Sequence, residues 1–192
     1  MFRIMIRILE KQAIRQQARP IDLRTYHWMV ENGLVEKQAE LIRGVIIEKM
    51  SKSPLHETTV RKIFRRVLAA ADDTMMVTKE APISIRDSEP EPDVAVILGT
   101  DDDFATAHPT TAVLAVEVAV TSEEVDREKA DIYAEAGIPE FWLILALAKT
   151  IERHTAPVDG IYTERTIFHV GETLQSTVLP KLSFAIGEIF QG

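Results

Sequence analysis

Cysteine is missing from all 192 residues. The chain therefore has no disulfide scaffold, no thiolate-held zinc or iron–sulfur centre and no thiol nucleophile. Glycine and proline are sparse, at 8 and 9 positions, and with 27% charged residues this rules out a wholly disordered chain. No apolar run approaches the roughly 18 residues of a membrane-spanning helix, so no membrane partner is expected. His27, His56, His108, His154 and His169 have no H-x-x-x-H spacing. A glycine-rich phosphate loop and a G-x-S-x-G elbow are also lacking. Zinc-hydrolase, P-loop and serine-hydrolase chemistry thus find no support.

What is present is enough hydrophobic sequence, 46%, for one sizeable core. The net charge of −8 is uneven. Arg3, Arg7, Lys11, Arg15 and Arg19 against Glu10 give the first 20 residues +4, so the other 172 carry −12. An acidic body repels polyanions and argues against strong non-specific nucleic-acid binding. It leaves room for an enzyme that meets phosphate through a bound cation. Residues 1–19 read as a basic extension able to form an amphipathic helix, and 20–192 as one domain. The extension lacks the features of a secretory signal, and a cysteine-free chain suits a reducing cytoplasm.

Periodicity supplies the elements. Thr25 to Gly33 reads as a short helix, and Glu40 to Glu48 as a hairpin around Arg43-Gly44. Ser53 as N-cap and Pro54 in the first turn open a helix with apolar positions at Val60, Ile63, Phe64, Val67, Leu68 and Ala71. Strands are expected at 76–85, 93–98 and 111–120, with a solvated acidic loop at Asp101, Asp102 and Asp103. A helix over 123–136 is entered by a capping box of Thr121 and Glu124 and closed by Gly137. Strands at 141–147, 151–155 and 162–170 follow, the last two joined by an Asp159-Gly160 turn. The pattern is α/β: a mixed β-sheet flanked by helices in a single domain.

Three polar residues interrupt the apolar pattern. Glu117 lies within the near-continuous run Val113 to Val120, where an unpaired carboxylate is costly. Alternation puts it on the side of Val113, Ala115 and Ala119. Asp93 begins a strand on the face opposite Val94 and Val96. Lys129 shares a helix face with Val125, Ile132, Tyr133 and Ala136, the stripe that should meet the sheet. From Glu117 the strand runs on about 10 Å to Val120 at roughly 3.3 Å per residue. A helix returning from Ser122 recovers about 10 Å by Lys129 at roughly 1.5 Å per residue. Lys129 therefore comes back level with Glu117, unless it merely pairs with Asp126 at the helix edge. His56 sits beside the apolar stripe of its helix. Arg61, Lys62, Arg65 and Arg66 form two i,i+4 pairs, either a solvated face or a set of DNA backbone contacts.

Taken together, these residues resemble a known family. Glu40-Leu41-Ile42-x-Gly44-x-Ile46-x-Glu48-x-Met50 followed by Ser53-Pro54-x-His56 is similar to the opening of the Uma2 (DUF820) family of restriction-type endonucleases. Glu91-Pro92-Asp93-Val94, Glu117-Val118, Asp126-Arg127-x-Lys129 and the stretch Tyr133 to Trp142 resemble its core. Leu179-Pro180-x-Leu182 through Ile189-Phe190 resembles its closing segment. The likeness runs from Pro20 to Phe190. It implies the restriction-endonuclease-like PD-(D/E)xK fold, with Asp93 and Glu117 as metal carboxylates for Mg²⁺ or Mn²⁺. It also implies Lys129 as the catalytic lysine, in place of the usual one two residues after the glutamate, where this chain has Ala119. His56, Glu40 and Asp126 are accessory candidates. The implied activity is hydrolysis of DNA phosphodiester bonds, leaving 5′-phosphate and 3′-hydroxyl ends, with homodimerisation open. Where the family often carries an acidic residue after the Phe141 strand, this chain has Leu145-Ala146. The rivals are a catalytically inactive nuclease-fold domain that binds DNA or protein, and a metal-dependent hydrolase of another phosphate ester.

Overall fold

The computed structural model describes residues 12, 17–36, 38–49 and 52–190. The basic helix expected within 1–19 falls outside them, apart from 12 and 17–19. The described elements are α1 (Leu23–Glu31), β1 (Ala39–Ile42), β2 (Val45–Glu48), α2 (Pro54–Ala70), β3 (Met75–Thr78), β4 (Val94–Leu98) and β5 (Leu114–Ala119). They continue with α3 (Glu123–Glu135), β6 (Glu140–Leu145), β7 (Thr150–Val158), β8 (Ile161–Phe168), β9 (Thr173–Gln175), β10 (Ser183–Ala185) and α4 (Gly187–Phe190). Among the described residues no helix is long and apolar enough to cross a membrane.

Six strands form one mixed sheet in the order β3-β4-β5-β6-β7-β8. Only β5 and β6 run parallel, and α3 is the crossover between them. The near-continuous apolar run of β5 is explained by burial on both faces, its six residues all being buried. On one face Val94, Val96, Val116 and Val118 meet Val60, Ile63 and Val67 of α2 and the β10–α4 segment. On the other, Ala95, Ala115 and Ala119 meet Ala130, Ile132 and Tyr133 of α3, with Ile42 and Ile47 of the β1–β2 hairpin above. Small residues on that second face bring α3 and the hairpin close to the sheet. That closeness builds the site.

Helix α2 starts as its sequence dictates. Ser53 Oγ accepts from the His56 backbone N–H at 3.2 Å, and proline occupies the first turn. Leu68, however, is 53% exposed and lies outside the buried stripe. Two other expectations are corrected. The strand expected over 76–85 ends at Thr78: Glu80 adopts φ 52°, and Pro82 has no N–H to continue a ladder. Helix α3 is capped at Ser122 rather than by a Thr121–Glu124 box, and the Ser122 hydroxyl donates to Asp126 Oδ2 at 2.5 Å. The acidic loop is solvated as expected, with Asp101, Asp102 and Asp103 exposed on a 3₁₀ turn over Asp101–Phe104.

Candidate active site

Register creates the first pair. β4 and β5 pair antiparallel with Val94 opposite Val116 and Ala95 opposite Ala115. One step further along that register sets Asp93 opposite Glu117, both on the α3 face. Val113 proves to pack on the other face, so the small neighbours of Glu117 are Ala115 and Ala119. Asp93 Oδ2 accepts from the Val118 backbone N–H at 2.7 Å and faces His56 Nε2 at 3.2 Å. The first turn of α2 thus reaches across to the sheet.

Helix α3 brings the cation. Lys129 is 4% exposed, with its Nζ 3.1 Å from Glu117 Oε1, 2.8 Å from Glu40 Oε2 and 3.8 Å from Asp126 Oδ1. The strand-and-return geometry is therefore realised, and the i,i+3 pair with Asp126 is its longest contact. One turn later, Tyr133 donates its hydroxyl to the same Glu117 Oε1 at 2.6 Å. From β1, Glu40 is held by the Glu91 backbone N–H at 2.8 Å and by Lys49 at 3.3 Å, and Lys49 also pairs with Glu91. Glu40, Lys49, Glu91, Glu117, Asp126 and Lys129 line a cleft of about 550 Å³, with Tyr133 behind its wall.

The buried carboxylates divide by what their oxygens meet. Glu40, Glu89, Glu140 and Glu152 have both oxygens engaged. Glu140, for example, takes Trp142 Nε1 on Oε1 at 2.6 Å, and the Thr177 N–H on Oε2 at 2.6 Å. Glu152 is held by Arg127 on both oxygens, at 2.7 and 2.9 Å. These acids are structural anchors. Asp93, Glu117 and Asp126 differ: among the described residues, all their hydrogen bonds arrive on one oxygen and none on the other. All three line the cleft. None of these second oxygens is sealed away from solvent without a partner, so they open into the cleft, where water or a cation meets them.

Electrostatics sharpen the contrast. Burial pushes the Glu117 carboxyl well above the ordinary carboxylate range; Lys129 opposes this, while Asp126, Asp93 and Glu40 add to it. Burial also raises Asp126. For Glu40 burial acts the same way, but Lys129 and Lys49 outweigh it and hold the carboxyl below its usual value. Burial works against the Lys129 ammonium too, and Glu117, Glu40 and Asp126 overcome it, so the lysine stays charged. Burial likewise opposes charge on His56, yet the Asp93 hydrogen bond and charge raise its pKa. Tyr133 remains a phenol, its pKa raised by burial and then by Glu117. Around the cleft, nine carboxylates face three lysines and one histidine. That excess of negative charge attracts a cation.

The donor set fits a hard divalent ion. Among the described residues no group of three or more His, Asp or Glu side chains stands ready as a metal cage. Mg²⁺ does not need one, because it is held through one or two carboxylates and keeps several waters. Asp93 Oδ1 and Glu117 Oε2 are the oxygens available for such binding, with Asp126 Oδ1 near by.

The structure gathers Asp93, Glu117, Lys129, Glu40, Asp126 and His56 in one cleft, but Arg61, Lys62, Arg65 and Arg66 do not line it. Lys62 donates to the Ile189 carbonyl at 3.0 Å, and Arg66 to Glu188 at 2.8 Å, which ties that pair to α4. Arg61 and Arg65 are exposed. Sequence reading missed Tyr133 and Lys49. The first passed for a core aromatic on the α3 stripe, although a buried tyrosine hydroxyl needs a partner. Lys49 carried no signal of its own.

No curated protein sequence matches the chain. A crystal structure described as "a putative nuclease belonging to DUF820", from Anabaena variabilis, superposes with a TM-score of 0.74 at 15% identity. The superposition covers 89% of this chain and 98% of that one, which establishes the shared fold. The sequence profile of Uma2, described as "Putative restriction endonuclease", matches residues 33–187, so most of this chain, including every residue of the cleft cluster, belongs to the Uma2 family.

Proposed function

We propose that the protein is a Mg²⁺- or Mn²⁺-dependent endonuclease that hydrolyses phosphodiester bonds of DNA. The observation that carries this reading is the pair of facing carboxylates, Asp93 and Glu117. Each is buried and pinned through one oxygen, with the other left for a cation. When bound, the cation supplies polarisation of a phosphodiester oxygen and a lowered pKa for an attacking water. The chain's own groups do the rest. His56 and the Val118 N–H fix Asp93, while Tyr133 and Lys129 fix Glu117. Lys129, permanently charged, orients the water or offsets charge developing on the phosphate. Glu40, clamped by Lys49, holds the lysine in place between turnovers.

A non-catalytic descendant is the weaker reading. What weighs against it is the free oxygens of Asp93 and Glu117 opening side by side into a cleft with a large excess of carboxylates, an arrangement whose mutual repulsion a bound cation relieves. Supercoiled plasmid and single-stranded DNA incubated with Mg²⁺ test the proposal directly. Wild type should cleave, EDTA should stop it, and Asp93→Asn should be inactive at equal protein concentration. Cleavage by Asp93→Asn at the wild-type rate would remove the metal site from the mechanism.

DNA must also be held outside the acidic cleft. Because Lys62 and Arg66 are occupied with α4, Arg61 and Arg65 are the members of the basic stripe left to meet phosphates. Changing both to alanine should make the salt dependence of DNA binding shallower by about 1.8 in log–log slope, the release expected for two phosphate contacts. Binding titrations at several salt concentrations in Ca²⁺ or EDTA measure it. An unchanged slope would leave the stripe as solvated surface.

A further inference from the structure

Two donors converge on Glu117 Oε1, one turn apart on α3: Lys129 Nζ at 3.1 Å and the Tyr133 hydroxyl at 2.6 Å. The two are not equivalent. Lys129 is divided among Glu117, Glu40 and Asp126, and its flexible four-carbon stem lets the ammonium move from one to another. Tyr133 is fully buried, and its ring packs on Phe141 at 5.2 Å between centroids. The only hydrogen bond of its hydroxyl among the described residues is to Glu117.

We propose that Tyr133 is the positioning residue of this site, holding Glu117 Oε1 so that Oε2 stays turned to the cation while Lys129 leaves Glu117 to serve the substrate. This rests on the metal-dependent reading above and adds a division of labour to it. Without the phenol, Lys129 has two incompatible tasks: to anchor the carboxylate and to face the phosphate. With it, Glu117 remains anchored when the ammonium moves toward Glu40, Asp126 or a bound phosphodiester. Asp93 has the same protection from the Val118 backbone N–H, a donor that cannot leave. Each carboxylate thus has one fixed donor and one ionisable neighbour, His56 for Asp93 and Lys129 for Glu117.

Tyr133→Phe removes a single oxygen and keeps the ring. Mg²⁺ titrations followed by thermal melting, without any substrate, should give an apparent dissociation constant about 10- to 100-fold weaker than wild type, the usual loss when a ligand's supporting hydrogen bond is removed. Cleavage at saturating Mg²⁺ should also fall, because Lys129 must then remain on Glu117. Tyr162→Phe serves as the control. Its hydroxyl donates to the Ile138 carbonyl at 2.8 Å and its ring stacks on Phe141, so it reports packing alone and should leave the Mg²⁺ midpoint unmoved. If wild type responds to Mg²⁺ and Tyr133→Phe responds at the same concentration, the positioning role is wrong and the metal site stands. Absence of any Mg²⁺ response in wild type would overturn both. Should Tyr133→Phe fail to fold, NMR of wild type decides. The Tyr133 hydroxyl proton should exchange slowly and persist when Mg²⁺ is added, and its disappearance on addition would refute the proposal.

Discussion

Substituting glutamine for Glu117 is expected to cut Mg²⁺-dependent DNA cleavage by about 1,000-fold while leaving the cation-free protein as stable as wild type, or more so. The second half follows from burial. Glu117 is 3% exposed, and its carboxyl is pushed well above the ordinary value of 4.5 by burial, with Asp126, Asp93 and Glu40 contributing. A raised folded-state pKa means that the protonated form is the favoured one. The stability it contributes is fully present below pH 4.5 and is lost as pH rises through the folded-state value. Glutamine imitates the protonated form at every pH, and its carbonyl can still accept from Tyr133 and Lys129. In EDTA, wild type should therefore lose stability relative to Glu117→Gln as the pH is raised. Mg²⁺ at ten times its dissociation constant should restore about 1.4 kcal/mol to wild type. The gain should grow with pH, because ion and proton compete for the same carboxylate. The variant should gain much less. Melts of both proteins across pH, with and without Mg²⁺, read all of this. A variant strongly destabilised in EDTA, beside a wild type indifferent to Mg²⁺, would make Glu117 a structural residue.

Local rules located most of the architecture because the signals were short-ranged. Ser53-Pro54 and the Val60, Ile63, Val67 stripe define α2 without reference to the rest of the chain. The apolar run of β5 announced a strand buried on both faces, and that made Glu117 conspicuous. Lys129 was legible for a geometric reason: a strand and its crossover helix share an end, so distances along each can be compared. The errors came where one residue overrode a pattern. Glu80 at φ 52° and Pro82 end β3 early, although hydrophobicity runs on to Ile85. The Ser122 hydroxyl turns to Asp126, which displaces the cap expected at Thr121.

The contents of the cleft were less legible, because they depend on which strands pair and in what register. Nothing near Asp93 in the sequence says that β4 lies antiparallel to β5 with Val94 opposite Val116, yet that pairing alone brings Asp93 to Glu117. Glu40 and Lys49 arrive on a hairpin that is not hydrogen-bonded to the main sheet, so no strand-spacing argument reaches them. The basic stripe on α2 read as four equivalent cations. The α4 segment that splits it into two bound and two exposed residues lies more than a hundred positions later.

Replacing Lys129 by methionine should be the most damaging single change to stability in the site, at about 3–5 kcal/mol. The lysine is 4% exposed, and the two carboxylates nearest to it, Glu40 and Glu117, are each 3% exposed. Methionine fills a similar volume, so the loss reports charge rather than a cavity. Among the described residues, its removal leaves Glu40 with Lys49 as its remaining cation and Glu117 with only a phenol. Protonation can relieve Glu117, whose carboxyl already tends that way, but not Glu40, which is held below its usual value chiefly by Lys129. The deficit should therefore deepen as pH rises above the carboxylate range. The double variant Lys129→Met/Glu117→Gln, with one stranded charge fewer, should recover part of it, with a coupling of about 0.5–3 kcal/mol. Chemical denaturation of wild type, both single variants and the double closes the cycle. Strict additivity would mean that Lys129 and Glu117 do not sense each other, and the lysine would then be a counterion of Glu40 alone. Mg²⁺ offers an independent check. A cation seated on Glu117 should stabilise Lys129→Met by more than it stabilises wild type, since it replaces part of the charge that methionine removed, whereas cleavage should stay about 100-fold below wild type because no ammonium faces the phosphate.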